Sequence, residues 1–147
     1  MGDAVVLSTW AFERVGPVMV LCSGGERPPP EQDFSVWATR LANDDFCRLL
    51  IYSEGGSPSA RQRARIAEVM KSSGRSVRVA LMTDSQLARG FLTAIEWLIG
   101  AGNMRALPLA ELNAGLRWLE AEDSAREVAQ VIARLRAALR THAARAG

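Results

Sequence analysis

A strand, a turn and a helix follow one another in the middle of this chain, and a second strand comes after them. Residues 47–52 (CRLLIY) form a short apolar run bounded by polar residues, as a buried strand does. The turn SEGGSPS follows at 53–59, and residues 60–73 then carry apolar side chains at helical spacing up to Gly74. Residues 77–82 are the next strand-like run. Because parallel strands joined by helices need right-handed crossovers, this unit predicts a largely parallel sheet covered by helices.

The N-terminal part predicts two further strands and one helix. The apolar, β-branched runs at 5–10 and 17–22 are separated by a polar break at Glu13 and Arg14, which indicates an antiparallel pair near the sheet edge. Three prolines follow, and a helix can begin once they end. Residues 31–42 then carry apolar side chains on one helical face.

The C-terminal part predicts a helix from about residue 85 to 99, a short strand at 104–107 and a helix at 111–119. A last helix, at about 124–145, carries an apolar stripe from Val128 to Leu139. We therefore expect an α/β fold with a mixed, mainly parallel five-stranded sheet flanked by helices. Its predicted order is β-β-α-β-α-β-α-β-α, plus one extra C-terminal helix.

The length and hydropathy predict a single domain in a soluble protein. A chain of 147 residues fits one domain, with a core at about 5–119 and the last helix as an extension. No run approaches the roughly 20 apolar residues that a membrane-spanning helix needs. The N-terminus also lacks the basic and apolar regions of a signal peptide, so we expect a cytoplasmic protein.

The motifs of common enzyme classes are missing from the sequence. It contains no phosphate-binding G-x-x-x-x-G-K-[ST] loop, no G-x-G-x-x-G after a strand, no G-x-S-x-G and no C-x-x-C. Cys22 and Cys47 lie in apolar runs, where reduced, buried thiols are the usual case. The single histidine, His142, has no cluster of metal ligands near it in the sequence. We expect no enzyme activity, no metal and no cofactor.

The turn at 53–63 (SEGGSPSARQR) is the first candidate site. Ligands of parallel sheets bind outside the carboxyl ends of the strands, where this turn is predicted to lie. Either Ser57 caps the helix with Pro58 in its first turn, or Ser59 caps it in a capping box with Gln62. Both arrangements bring backbone N–H groups, Arg61 and Arg63 near a serine hydroxyl, which suits an anion or a phosphoserine. A plain helix cap without function is the alternative.

The segment 83–97 (TDSQLARGFLTAIEW) is the second candidate, at the same predicted edge of the sheet. Asp84 and Ser85 supply the N-cap of the predicted helix. Arg89, Thr93 and Trp97 follow at helical spacing, away from the apolar stripe of that helix. A polar face with one tryptophan is typical of a contact surface, although Trp97 packing against a neighbouring helix would explain it as well.

The element order and these two segments resemble STAS domains, the bacterial anti-sigma-factor-antagonist superfamily. The segments GGSPSARQR and TDSQLARGFLTAIEW are also similar to those of a group of small bacterial STAS-like proteins. The resemblance implies a small mixed sheet flanked by helices over about residues 5–119, and a regulatory role. In antagonists, a kinase phosphorylates a serine of a D-S-[ST]-G turn. That pattern is absent here, which leaves Ser57 and Ser59 as the phosphorylation candidates.

The sequence thus predicts a non-enzymatic regulatory module that binds a protein partner through helices two and three and the turns before them. One alternative is a small-ligand or lipid-binding domain, which an apolar pocket lined by Trp37, Phe91 or Trp118 would favour. Another is a self-associating scaffold or homodimer, in which the Val128–Leu139 stripe packs against a second copy instead of its own sheet. Nucleic acid is an unlikely partner, because the net charge is only +2.

Overall fold

The computed structural model describes residues 3–86, 89–90 and 103–146. Six strands form one sheet, and their order in space follows their order in the chain. The first two pairings are antiparallel and the remaining three are parallel, so the sheet is mixed. The strands are β1 (Val5–Val6), β2 (Trp10–Val15), β3 (Val18–Ser23), β4 (Arg48–Ser53), β5 (Arg78–Met82) and β6 (Met104–Leu107).

The prediction of five strands is wrong at the N-terminus. Glu13 and Arg14 do not separate two strands, because both lie inside β2. The turn comes later, at Gly16 and Pro17, where Gly16 has a φ of +55° and Val15 pairs with Val18. Glu13 is only 6 % exposed. Its carboxylate has a partner there, because Arg134 of the last helix donates a hydrogen bond to its Oε2 at 3.1 Å.

Four α-helices lie wholly in the described residues, close to their predicted positions. They are α1 (Glu31–Asn43), α2 (Ala60–Ser73), α3 (Leu112–Trp118) and α4 (Ala125–Ala146). Single turns of 3-10 helix precede α3 and α4. The helix predicted from about residue 85 to 99 falls mostly outside the described residues. None of the described helices is long and apolar enough to span a membrane.

The sheet separates two hydrophobic clusters, because alternate residues of each strand point to opposite faces. One face packs against α1 and α2, and its cluster contains Trp10, Phe34 and Trp37. The opposite face packs against α3 and α4. The apolar stripe of α4 is buried there, since Val128 and Leu135 are 0 % and 1 % exposed. That stripe therefore contacts the sheet of its own chain.

Candidate functional site

The turn after β4 crosses the turn after β3 at very short range. Gly55 and Gly56 have φ angles of +141° and +67°, which favour glycine. A Cβ atom on Gly55 would lie 2.2 Å from the carbonyl oxygen of Gly25, and one on Gly56 would lie 2.2 Å from that of Gly24. Glu54 N also donates a hydrogen bond to Ser23 O at 2.8 Å. The two glycine pairs therefore fix each other's backbone.

A buried tryptophan also holds this turn. Trp10 is 3 % exposed, and its indole Nε1 donates a hydrogen bond to Gly56 O at 2.9 Å. The ring packs edge-on against Phe34 and Trp37 of α1. The position of the turn is thus linked to the hydrophobic core of this face.

The helix cap after the turn is the capping box formed by Ser59 and Gln62. Ser59 Oγ accepts a hydrogen bond from Gln62 N at 3.1 Å, and Ser59 N donates to Gln62 Oε1 at 3.0 Å. The alternative cap by Ser57 is wrong. Gln62 is also an internal residue, only 2 % exposed, because its Nε2 donates to Pro29 O at 2.8 Å and to Glu31 Oε1 at 3.1 Å. Gln62 thereby joins α2 to the start of α1.

The two arginines of this turn have different surroundings. Arg61 is exposed on the first turn of α2. Arg63 is partly buried, and its Nη1 donates a hydrogen bond to Pro58 O at 2.9 Å. Arg61 is therefore accessible to a partner, whereas Arg63 also stabilises the turn that precedes its own helix.

The turn after β5 lies beside this one, because β4 and β5 are neighbouring parallel strands. Thr83 is 1 % exposed, and its Oγ1 accepts a hydrogen bond from Ser85 N at 3.0 Å. Arg89 Nη2 donates to Thr83 O at 3.2 Å. Asp84 and Ser85 are exposed, and Asp84 Oδ1 accepts from Leu109 N at 3.1 Å. The structure thus brings both predicted turns to one sheet edge, while Thr93 and Trp97 lie outside the described residues.

The C-terminal helix reaches the same edge, which the sequence did not indicate. Arg136 donates two hydrogen bonds to the carboxylate of Glu54, at 2.6 and 2.8 Å, and its guanidinium lies 5.3 Å from the centre of the Tyr52 ring. The hydrogen bond to Glu54 raises the pKa of Arg136. No local pattern predicts this pair, because 82 residues separate its members.

An apolar cavity of about 110 Å³ lies between the sheet and the helices α1 and α2. Its walls include Trp10 and Trp37, and Ile66 and Met70 of α2. Phe91, proposed from the sequence as a lining residue, lies outside the described residues. Trp37 lines the cavity, whereas Trp118 packs on the opposite face of the sheet.

Reactive side chains are few in the described part of the chain. Within it, no group of three or more His, Cys, Asp or Glu residues is suitably placed to hold a metal ion. Burial raises the pKa of the Cys22 thiol to about 12, so this sulfur is protonated at neutral pH. Cys47, which was expected to be buried, is exposed. It lies just before β4, and a weak hydrogen bond links its Sγ to Asp45 O at 3.6 Å.

Comparisons with protein-family models, with curated proteins and with solved structures give no match. The resemblance to STAS domains therefore stays a prediction from the two sequence segments and the element order.

Proposed function

We propose that this protein is a non-enzymatic regulatory module of the STAS-like type, and that a protein partner docks on one edge of its sheet. We call this region the edge surface and define it, within the described residues, as 53–63 together with 84–86 and 89–90. The carboxyl ends of parallel strands are a common position for binding sites. The observation that carries the proposal is the fixed crossing of Gly55 and Gly56 with Gly24 and Gly25, beside exposed polar side chains.

A fixed edge favours recognition, because a surface that is already ordered loses little conformational entropy when a partner binds. The glycine crossing, the capping box and the Trp10 hydrogen bond all hold the backbone of residues 54–62. In complexes of such ordered surfaces, the interface backbone usually moves little between the free and the bound protein.

The exposed side chains of the edge surface carry both signs of charge. Arg61 is on one turn, and Asp84 is on the neighbouring turn with Ser85 and Gln86. Charges of opposite sign at fixed positions select the orientation of a partner more than they add raw affinity. We therefore expect a partner surface with an acidic group opposite Arg61.

A phosphorylation switch is the regulatory part of the proposal. Ser59 Oγ already accepts a hydrogen bond at the N-terminus of α2, where a phosphate is electrostatically favoured. Ser57 is partly buried beside the apolar cavity, where a phosphate would disrupt packing. Substituting each serine by alanine, and comparing partner affinity with and without kinase treatment, tests the switch. Kinase treatment that leaves the affinity of the unsubstituted protein unchanged contradicts it.

We extend the proposal to the cytoplasm, the compartment expected from the sequence. The buried stripe of α4 gives no support to self-association, because Val128, Val131, Ile132 and Leu135 already pack against the sheet.

Affinity capture with matched charge reversals tests the docking site. Arg61→Glu changes the charge of the edge surface, and Arg126→Glu makes the same change on an exposed residue of α4. A partner captured by the unsubstituted protein should bind Arg61→Glu at least about fivefold more weakly, as for a contact worth about 1 kcal/mol. Arg126→Glu should bind normally. Equal binding by both variants contradicts the proposed site.

A further inference from the structure

The central strand β4 is less well covered than its position in the sheet leads one to expect. Ile51 lies in the middle of β4, between β3 and β5, yet its side chain is only partly buried. It lines the apolar cavity, as do Leu49 and Ser53 on the same face of the strand. Residues 49 to 53 span about 13 Å at the usual strand rise, so the cavity is elongated along β4.

The cavity has one polar end and one apolar end. Ser23 and Ser53 pair with each other at the carboxyl ends of β3 and β4, and Ser57 lies in the turn that follows. Among the described residues, the hydroxyls of Ser23 and Ser57 make no side-chain hydrogen bond, whereas Ser53 Oγ donates to Gly55 O at 3.4 Å. Leu41, Leu49 and Val77 line the opposite end.

Charge is absent from the described lining of this cavity, where every residue is apolar, a serine or a proline. Burying an ion there would cost much more than burying a neutral polar group, which one hydrogen bond can satisfy. A cavity of roughly 150 Å³ lined by apolar residues holds one molecule the size of benzene. The present volume of about 110 Å³ is too small for a lipid with long chains, and typical pockets for drug-sized ligands exceed about 300 Å³.

We infer that this cavity binds a small, uncharged organic molecule with one terminal hydrogen-bonding group. The polar group bonds to the serines at the carboxyl ends of β3 and β4, and the hydrocarbon part lies along Ile51 beneath Ile66 and Met70 of α2. This site is distinct from the proposed docking of a protein partner on the edge surface, although Ser53, Ser57 and Pro58 belong to both.

Three probes of equal chain length, each with a four-carbon chain that suits the small volume, test the inference: 1-butanol, butyrate and 1,4-butanediol. We expect 1-butanol to bind with a dissociation constant on the order of 10 mM. Butyrate should bind at least about tenfold more weakly at neutral pH, because its carboxylate has no charged partner in the described lining. The diol should also bind at least about tenfold more weakly, because its second hydroxyl would lie among apolar side chains.

Methyl NMR spectra report the site directly, through the shifts of Ile51, Ile66 and Met70. Saturable shifts of these methyl groups with 1-butanol, and much weaker binding of the other two probes, support the inference. The absence of a saturable shift with 1-butanol overturns it. Butyrate or the diol binding as tightly as 1-butanol also overturns it, because the cavity would then not select an uncharged molecule with one polar end.

A filling variant checks where the probe binds. Ile66→Phe adds side-chain volume inside the cavity and should abolish 1-butanol binding. Val69→Leu adds a similar volume on the same helix, at a residue that lines a surface depression and not this cavity, and should preserve binding. If Ile66→Phe fails to fold, the selectivity of the unsubstituted protein among the three probes still decides the question. Equal binding by two folded variants overturns the assignment to this cavity.

Discussion

A Cβ atom on Gly56 would lie 2.2 Å from the carbonyl oxygen of Gly24. This contact joins the turns after β3 and β4, and its two glycines are 32 residues apart in the chain. The turn after β4 contains Ser57 and Ser59 and leads into α2, where Arg61 lies. The glycine contact therefore holds the part of the edge surface at residues 53–63. Docking as proposed requires that geometry to be fixed before a partner arrives.

The glycine crossing predicts an unusually costly alanine substitution. Gly56→Ala combines a strained φ of +67° with a backbone clash, so we expect the free energy of unfolding to fall by at least about 2 kcal/mol. Gly74→Ala is the matched control, because Gly74 has a φ of +64° and open space around it. It should cost about 1 kcal/mol for the backbone alone. Urea unfolding of both variants measures the difference, and equal losses would show that the crossing is not tight.

The capping box predicts different effects for two neighbouring serines. Ser59→Ala removes the hydrogen bond from Gln62 N and should lower the free energy of unfolding by about 1 kcal/mol. Ser57→Ala should change it by less than about 0.5 kcal/mol, because no side-chain hydrogen bond of Ser57 is present in the described structure. Thermal or urea unfolding provides the values. A larger loss for Ser57→Ala would mean that the cap is assigned to the wrong serine.

The two cysteines should differ sharply in reactivity. Cys47 is exposed, whereas Cys22 is 1 % exposed and burial raises its pKa to about 12. We expect a disulfide-exchange reagent to modify one thiol rapidly in the folded protein at pH 8 and the second only on unfolding. Cys47→Ser should eliminate the fast phase. Two fast phases in the folded protein would contradict the burial of Cys22.

The Cys22 thiol also predicts a pH dependence of stability. Between pH 9 and about 12 the thiol loses its proton in the unfolded chain but keeps it in the folded one, so its contribution to stability falls as the pH rises. Between pH 8 and pH 10, the unsubstituted protein should therefore lose stability relative to Cys22→Ala. Urea titrations at both values check this. A difference that is independent of pH would argue against the raised pKa.

The last helix should behave as part of the core. Leu135 is 1 % exposed against the sheet, so Leu135→Ala should lower the free energy of unfolding by about 2–5 kcal/mol. Gln130 is exposed on the same helix, and Gln130→Ala should change it by less than about 0.5 kcal/mol. A small effect of Leu135→Ala would indicate that α4 is only loosely attached.

Local patterns predicted the helices α1 and α2 and the strands β4 to β6 within a few residues. The capping box of Ser59 and Gln62 was one of two caps that the sequence allowed. The hydrogen bond from Gln62 Nε2 to Pro29 O favours this cap over the one by Ser57. The first hairpin was misassigned because Glu13 is held inside a strand by Arg134, a partner 121 residues away. Such long-range pairs leave no periodic signal in a single sequence.

The Glu54–Arg136 pair could not be predicted for the same reason. Trp37 was named from the sequence as a lining residue of an apolar pocket, but the other walls of the cavity were not. The cavity needs the strands, α1, α2 and the turn after β4 to come together, and each of these segments by itself has an ordinary apolar pattern. The predicted juxtaposition of the turns after β4 and β5 was accessible, because parallel pairing of consecutive strands brings their carboxyl ends to the same edge.

Hydrogen–deuterium exchange with and without the captured partner is the most direct test of the edge surface. The partner should slow amide exchange at residues 54–63 and 84–86, while amides on the exposed side of α4 keep their rates. Protection confined to α4, or no change at residues 54–63, would contradict docking on this edge.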